Sequence, residues 1–333
     1  MEYRHPSPAS QTGPVFDVDV TPNGYAWWYV DGRSDCGEHG ITVIAMLGCV
    51  FSPWYARARR TGPTNPLAHC ALNVVLYGRE GRRWAMTERD TPAVQRSAQR
   101  LAIGPSRLKW DDGVLTIDVD ERTAPWHRPL RGRIRVRPHT WHAQAFELDS
   151  AGRHRWWPLA PRARIEVDFD APARCFEGDA YLDGNHGDEP LEAAFEGWQW
   201  ARASDLTRTL VFYDARDRLG KTTSIAIDTR AGSLQAFLGS TTPVALPPSS
   251  WGIARTMRAD VGTQPVLIKT LESAPFYARS WVRTQLDGHT FEAFHETLSM
   301  RRFTRPWVQA LLPVRLPRRV DRAARDARAP RVR

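Results

Sequence analysis

The chain has 333 residues, a formal net charge of +9, 14 Trp and 4 Cys. That length suits two domains of roughly 130 to 190 residues, or one large β fold, with enough chain to bury a sizeable core. The longest apolar stretch, ITVIAMLGCVF at 41 to 51, is too short for a transmembrane helix, and the absence of C-x-x-C pairs and paired zinc ligands argues against redox and zinc-finger modules.

In chain order, residues 1–15 are rich in Pro and Ser and are expected to form a mobile arm. MEYRHPSPAS has no basic segment followed by an apolar run, so a cytoplasmic protein with reduced thiols is expected. YAWWYVDG at 25–32 opens the first half with aromatics, and DTPAVQRSAQRLAI at 90–103 is expected to be a helix. VLTIDVDE (114–121), GRIRVRP (132–138), ARIEVDFD (163–170), TRTLVFYDA (207–215) and TTSIAIDT (222–229) are short, β-branched and alternating, which marks an all-β protein. In HTWH at 139–142 the two His point to opposite faces if extended, so no metal is expected there.

LEAAFEG is a second helical candidate, and GWQWARAS at 197–204 echoes the aromatics of the first half. Two β-barrel or β-sandwich units joined near residue 192 would explain the echo: domains at 16–192 and 193–314. LGKTT at 219–223 lacks the first glycine of a phosphate-binding loop, because position 215 is Ala, and Gly220 is expected in a hairpin turn. PWVQALLP is a short amphipathic helical segment near the end. Residues 315–333 form a basic tail with eight Arg against Asp321 and Asp326, which reads as solvated or as an anchor for anionic lipid. Arg57, Arg59 and Arg60 form a second basic group for which lipid phosphate is a candidate partner. No nucleic-acid module accompanies the charge, and no nucleic-acid partner is expected.

Three stretches set aromatics against carboxylates: GYAWWYVDGRSDCGEHG, YLDGNHGDEPLEAAFEGWQWARAS and TLVFYDARD. Adjacent strand residues face opposite sides, so Tyr213 and Asp214 cannot both point into one barrel without a bulge, whereas Trp198 and Trp200 share a face. A carboxyl buried among aromatics stays protonated and can donate, and aromatic faces stabilise a cation. Asp214 is the first candidate acid, with Tyr213 to position it or hold water, and Asp183 is the second. An edge-strand turn at Asp214 or an Asx turn through Asp183-Gly184-Asn185 would be the structural alternative. His186 is a candidate to orient water or relay a proton, and Asn185 to hydrogen-bond that water. Trp27, Trp28, Trp198 and Trp200 are the candidate pocket walls.

GYAWWYVDG, FSPWYARAR, GDAYLDGNHGDEPLEAAFEGWQWARA, VFYDA and RPWVQALLPVRLPRR together resemble the carotenoid 1,2-hydratase family, also called hydroxyneurosporene synthase, from about Phe16 to Arg319. Where wider relatives carry D-H-N-W-G, this chain reads Asp183-Gly184-Asn185-His186-Gly187. The resemblance implies two lipocalin-like domains and a cofactor-free hydro-lyase of carotenoid biosynthesis. Such an enzyme adds water across the terminal C1=C2 bond of an acyclic carotenoid in a photosynthetic bacterium, with the inner membrane as a peripheral site. A non-catalytic binder of a hydrophobic polyene and a pericyclase of the same superfamily are the rival readings.

Overall fold

The computed structural model describes residues 7–205, 207–230 and 232–320. Among these, strands dominate. They begin with β1 Ala9–Ser10, β2 Gly13–Pro14, β3 Tyr25–Ser34, β4 Gly40–Leu47, β5 Cys70–Gly78 and β6 Gly81–Arg89. β7 Val94–Ser97, β8 Arg100–Ile103, β9 Ser106–Asp111, β10 Val114–Arg122, β11 Pro129–Pro138 and β12 Phe146–Glu147 follow. The long strands β13 His154–Ala171 and β14 Ala173–Gly187 lead into β15 Phe195–Ser204, β16 Arg208–Asp217, β17 Thr222–Arg230 and β18 Ser233–Ala236. The series closes with β19 Thr241–Leu246, β20 Arg255–Asp260, β21 Val266–Ser273, β22 Tyr277–Leu286, β23 His289–Ser299 and β24 Arg318–Arg319. Four short helices interrupt it: α1 Pro53–Ala58, α2 Leu191–Ala194, α3 Met300–Phe303 and α4 Pro306–Arg315.

The chain forms two compact units, one holding the described residues up to Ala145, Arg153–Pro190 and those from Leu311, the other Phe146–Gly152 and Leu191–Ala310. In the first, an antiparallel sheet runs β6-β5-β4-β3-β14-β13-β11-β10-β9-β8-β7, with β24 added in parallel beside β6. The sheet curls around one core, because Trp28, Val43, Leu72, Leu101, Leu108, Ile117, Val136 and Leu182, from eight different strands, join a single buried cluster. On β10 the alternation is strict: Leu115, Ile117 and Val119 are buried, while Asp118 pairs outward with Arg133 on β11.

The expected helix at 90–103 is instead a 3-10 turn at Thr91–Ala93 followed by the β7–β8 hairpin. Leu101 and Ile103, two residues apart, are both buried and Leu101 faces Leu108 on β9, so packing of a strand edge overrides the helical spacing of Val94, Ala98 and Leu101. Only Leu191–Ala194 of LEAAFEG is helical, and Gly220 occupies the turn between β16 and β17 with φ +86°.

Residues 7–15 of the expected mobile arm are folded. β1 pairs with β2, and three indole N–H groups pin the hairpin: Trp28 to the Pro8 carbonyl, Trp110 to Thr12 and Trp141 to Ser10, each at 2.9 Å. At Gly13 a Cβ would stand 2.3 Å from Trp110 Nε1, so this contact needs glycine. Residues 1–6 of the arm lie outside the described residues.

The expected basic tail begins in structure as well. Arg315 ends α4, Arg318 and Arg319 form β24, and residues 321–333 lie outside the described residues. β24 delivers the Arg318 guanidinium to the fully buried Glu88 carboxylate and to His69, which stacks on Tyr55. Burial and the nearby Arg318 and Arg59 hold His69 down at about 3.

The second unit holds the sheet β18-β17-β16-β15-β23-β22-β21 and the separate pair β19-β20. Its core gathers Ala201, Ala203, Leu210, Phe212, Met257, Val282, Phe291 and Ala293. At the margin of this core His295 is fully buried. Its Nε2 lies 2.9 Å from the Thr256 carbonyl and 3.1 Å from Gln199 Oε1, which also accepts from Thr297.

Two outcomes follow from these buried groups. Arg318→Ala leaves Glu88 without its guanidinium, and denaturant unfolding is expected to show a loss of about 3 kcal/mol; an unchanged midpoint would contradict the clamp. Burial holds His295 at about 4 against an ordinary 6.5, so the native state refuses a proton that the unfolded chain accepts. The neutral ring's contribution is intact above pH 6.5 and is lost as pH falls towards 4, at up to about 1.4 kcal/mol per pH unit. His295→Gln is expected to flatten the stability profile across that window, measured by urea midpoints at stepped pH.

Candidate active site

The strands β3, β14 and β13 lie side by side, and their alternation separates two chemistries. Ala26, Trp28 and Val30 on β3, Ala180 and Leu182 on β14, and Trp157 and Leu159 on β13 point into the hydrophobic core. The intervening residues share the opposite face. There the register sets Asp31 beside Tyr181, Tyr29 beside Asp183, Trp27 beside Asn185 and Tyr25 beside Gly187. β13 adds Trp156 beside Asn185 and His154 beside Gly187. Cross-strand neighbours of this kind stand about 5 Å apart at Cβ, close enough for direct side-chain contact.

Asp183 is the centre of this face. Its side chain is enclosed, with 5 % exposure for the residue. Trp156 Nε1 donates to Oδ2 at 3.0 Å and the Tyr181 hydroxyl donates to the same oxygen at 2.8 Å. Tyr29 meets Tyr181 edge to face at 6.0 Å, and Tyr25 stacks on Trp27 at 4.8 Å. Beyond Tyr25 the polar chain continues: its hydroxyl is 2.9 Å from His154 Nδ1, His154 Nε2 is 3.5 Å from Glu189 Oε1, and Arg153 pairs with Glu189 at 2.9 Å. Two donors converging on Oδ2 make it the accepting oxygen of the carboxyl, so in the protonated acid the hydrogen is carried by Oδ1.

Asn185, two residues along β14, lies on the same face and is buried, and its Oδ1 has no hydrogen-bond partner among the described residues. An amide oxygen without a partner in a buried polar site is suited to holding a water molecule. Trp27 belongs to this face; Trp28 does not. Trp28 packs edge to face on Phe16 in the core, with its indole N–H on Pro8, so it is no wall of the Asp183 site. His186 also points away, towards the core side, where Nε2 donates to the Asp19 carbonyl at 3.0 Å.

In the second unit, Trp198 and Trp200 share one face of β15, as their spacing requires. Trp200 is paired with Tyr213 on β16, and the rings of Trp198 and Tyr213 are 6.2 Å apart. Asp214 lies on the other face with Gln199. Arg258 grips it through Nε to Oδ2 at 2.9 Å and Nη2 to Oδ1 at 2.6 Å, and also reaches Ser224. A bidentate guanidinium occupying both oxygens is a structural ion pair, and Tyr213 is on the wrong side to position Asp214 as an acid.

Glu121 offers a useful contrast in the first unit. Burial pushes its carboxyl up, against the opposing pull of Arg89 and Ser106. Arg89 donates to Oε2 and Ser106 to Oε1, so both oxygens are taken up. Among the described residues no group of three His, Cys, Asp or Glu side chains is arranged to hold a metal ion.

Comparison with known proteins matches the family described as "Carotenoid hydratase CrtC" over residues 43–325. An acyclic carotenoid 1,2-hydratase of Thiocapsa roseopersicina is 50 % identical over 307 residues, covering 92 % of this chain and 76 % of the relative. Its counterpart in Rubrivivax gelatinosus is 45 % identical with the same coverage, and that of Rhodobacter capsulatus is 37 % identical over 85 % of this chain and all of its own length. Among solved structures, an AttH protein of Nitrosomonas europaea aligns with TM-score 0.59 at 14 % identity, covering 82 % of this chain and 92 % of its own. Kievitone hydratase of Nectria haematococca aligns with TM-score 0.52 at 11 % identity, covering 89 % and 97 %. Those structural likenesses carry the fold alone, which is lipocalin-like and all-β. The sequence matches carry the family: this chain belongs to the carotenoid hydratases.

Proposed function

We propose that the chain hydrates the terminal C1=C2 double bond of an acyclic carotenoid, with Asp183 as the acid. The observation that carries this reading is the Asp183 carboxyl, enclosed on an aromatic face and oriented through one oxygen by Trp156 and Tyr181. Protonating a trisubstituted alkene at its less substituted carbon creates a tertiary cation, and an unactivated alkene is a weak base, so the acid must be strong and shielded from water. Removal from water favours the uncharged carboxyl over its anion in general. Oδ1 gives its proton to C2, the cation forms at C1, and the π faces of Tyr25, Trp27, Tyr29 and Trp156 are suited to stabilise it.

Water then bonds to C1 through oxygen and surrenders a proton to the Asp183 carboxylate, which regenerates the acid. Electrons and atoms balance as alkene plus water giving a tertiary alcohol. The reaction needs neither oxidant nor reductant, which supports a mechanism without a cofactor. Asn185, about 7 Å along the strand on the same face, is the residue proposed to hold the attacking water. His154, tied to Tyr25 and Glu189, anchors the aromatic wall. On the neighbouring strand β4, Ile44 beside Tyr29 and Met46 beside Trp27 extend the same face with apolar surface suited to a polyene.

A water-insoluble substrate also supports peripheral attachment to a lipid surface as part of this reading. No helix among the described residues is long and apolar enough to cross a membrane.

The site assignment separates two carboxylates. Asp183→Asn keeps shape and hydrogen bonding but cannot donate the proton, so turnover is expected to fall about a thousandfold while polyene still co-purifies with the protein. Asp214→Asn disturbs only the pair with Arg258 and is expected to retain turnover within a few-fold. The check is chromatography of extracted pigment after incubation of each variant with detergent-dispersed lycopene. The reverse pattern, activity lost at Asp214 and kept at Asp183, would overturn the assignment.

A further inference from the structure

The helix α4 buries Val308 and exposes an apolar stripe along the flank beside it. Trp307, Leu311 and Val314, spaced i, i+4, i+7, are 47 %, 48 % and 60 % exposed, and Trp251, itself 44 % exposed, stacks on Trp307 at 6.1 Å. Four large apolar side chains gathered on and beside one helix are a costly surface to leave in water. Exposed Arg301 and Arg305 lie just ahead of the helix. Arg301 reaches only Glu196, at 3.9 Å, and no side-chain partner of Arg305 is found among the described residues.

Tryptophan beside arginine on a short amphipathic helix matches the boundary of a lipid bilayer, where indoles settle at headgroup depth, aliphatic side chains reach the acyl region and guanidinium groups meet phosphate. We infer that α4, with Trp251, docks this chain on an anionic lipid bilayer. The inference extends the proposed function, since a bilayer is where a polyene substrate dissolves, but its physical basis is the exposed stripe and the cationic residues ahead of it. The net charge of +9 favours the same partner over a neutral surface.

The test is flotation of the full chain with phosphatidylcholine vesicles, prepared with and without phosphatidylglycerol and carrying no pigment. Binding is expected with the anionic vesicles and is expected to weaken with added salt. Trp307→Glu with Leu311→Glu, leaving the basic tail intact, is expected to weaken partition by about tenfold or more. Arg301→Ala with Arg305→Ala is expected to remove the preference for anionic over neutral vesicles. Both double variants are expected to keep wild-type turnover of detergent-dispersed lycopene, which verifies that they fold. Undiminished flotation of the Trp307/Leu311 variant would assign binding to another segment such as the tail and overturn the inference. Absence of binding to any vesicle would overturn it too, as would a stable dimer that the Glu substitutions dissociate. Because the vesicles are empty, failure here leaves the hydratase reading standing, and inactivity of a protein that floats would count against the hydratase reading alone.

Discussion

The period of two in β3, β13 and β14 is the constraint on which the rest depends. Around the site, over residues 25–30, 180–187 and 154–160, these strands are buried on both faces: one faces the core with Trp28, Leu182 and Trp157, the other holds Asp183, Asn185, Tyr25, Tyr29, Tyr181 and Trp156. A slip of one residue in the β3–β14 register would turn Asp183 into the core and set Leu182 among the aromatic rings. The long ladder from Gly178 to Gly187 against Tyr25 to Ser34 prevents that slip, and the β1–β2 hairpin pinned by three indoles closes one side of the core. Stability and site geometry therefore rest on the same strands, so core substitutions in β14 are expected to be felt at Asp183.

Much of this was legible in the amino-acid order. Alternation identified the strands, set Trp198 and Trp200 on one face, and separated Tyr213 from Asp214. The block from Tyr181 to Asn185 was visible as a meeting of carboxylate and aromatic residues, although the Tyr-x-Asp-x-Asn pattern, whose three members share a face, was a stronger signal than the turn it resembled. What escaped was long-range pairing. Trp156 reaches Asp183 across 27 positions and Arg258 reaches Asp214 across 44, and nothing in a local window reveals either partner. Without Arg258, Asp214 among apolar neighbours looks like a buried acid; with it, Asp214 is half of an ion pair.

Strands buried on both faces also erase the hydrophobic contrast that tells inside from outside. Trp27 and Trp28 are equally aromatic and both enclosed, so only the register shows that Trp27 joins the Asp183 face and Trp28 the core. At residues 90–103 the cause was different: apolar spacing fitted a helix, but pairing of β8 with β9 claimed Leu101 and Ile103. Of the arginines near the end, read as a solvated tail or a lipid anchor, Arg318 is a buried-carboxylate clamp, and those beyond Val320 lie outside the described residues.

The central claim is that Asp183 protonates C2 before water attacks C1. Its most direct test is the product formed by the wild-type protein from lycopene in detergent, first in oxygen-18 water and then in deuterium oxide, with Asp183→Asn run beside it. The account predicts a tertiary alcohol carrying solvent oxygen at C1 and a single solvent deuteron at C2, and neither label in pigment recovered from the variant. Product without solvent label at C2, or labelled product from Asp183→Asn at the wild-type rate, would contradict it.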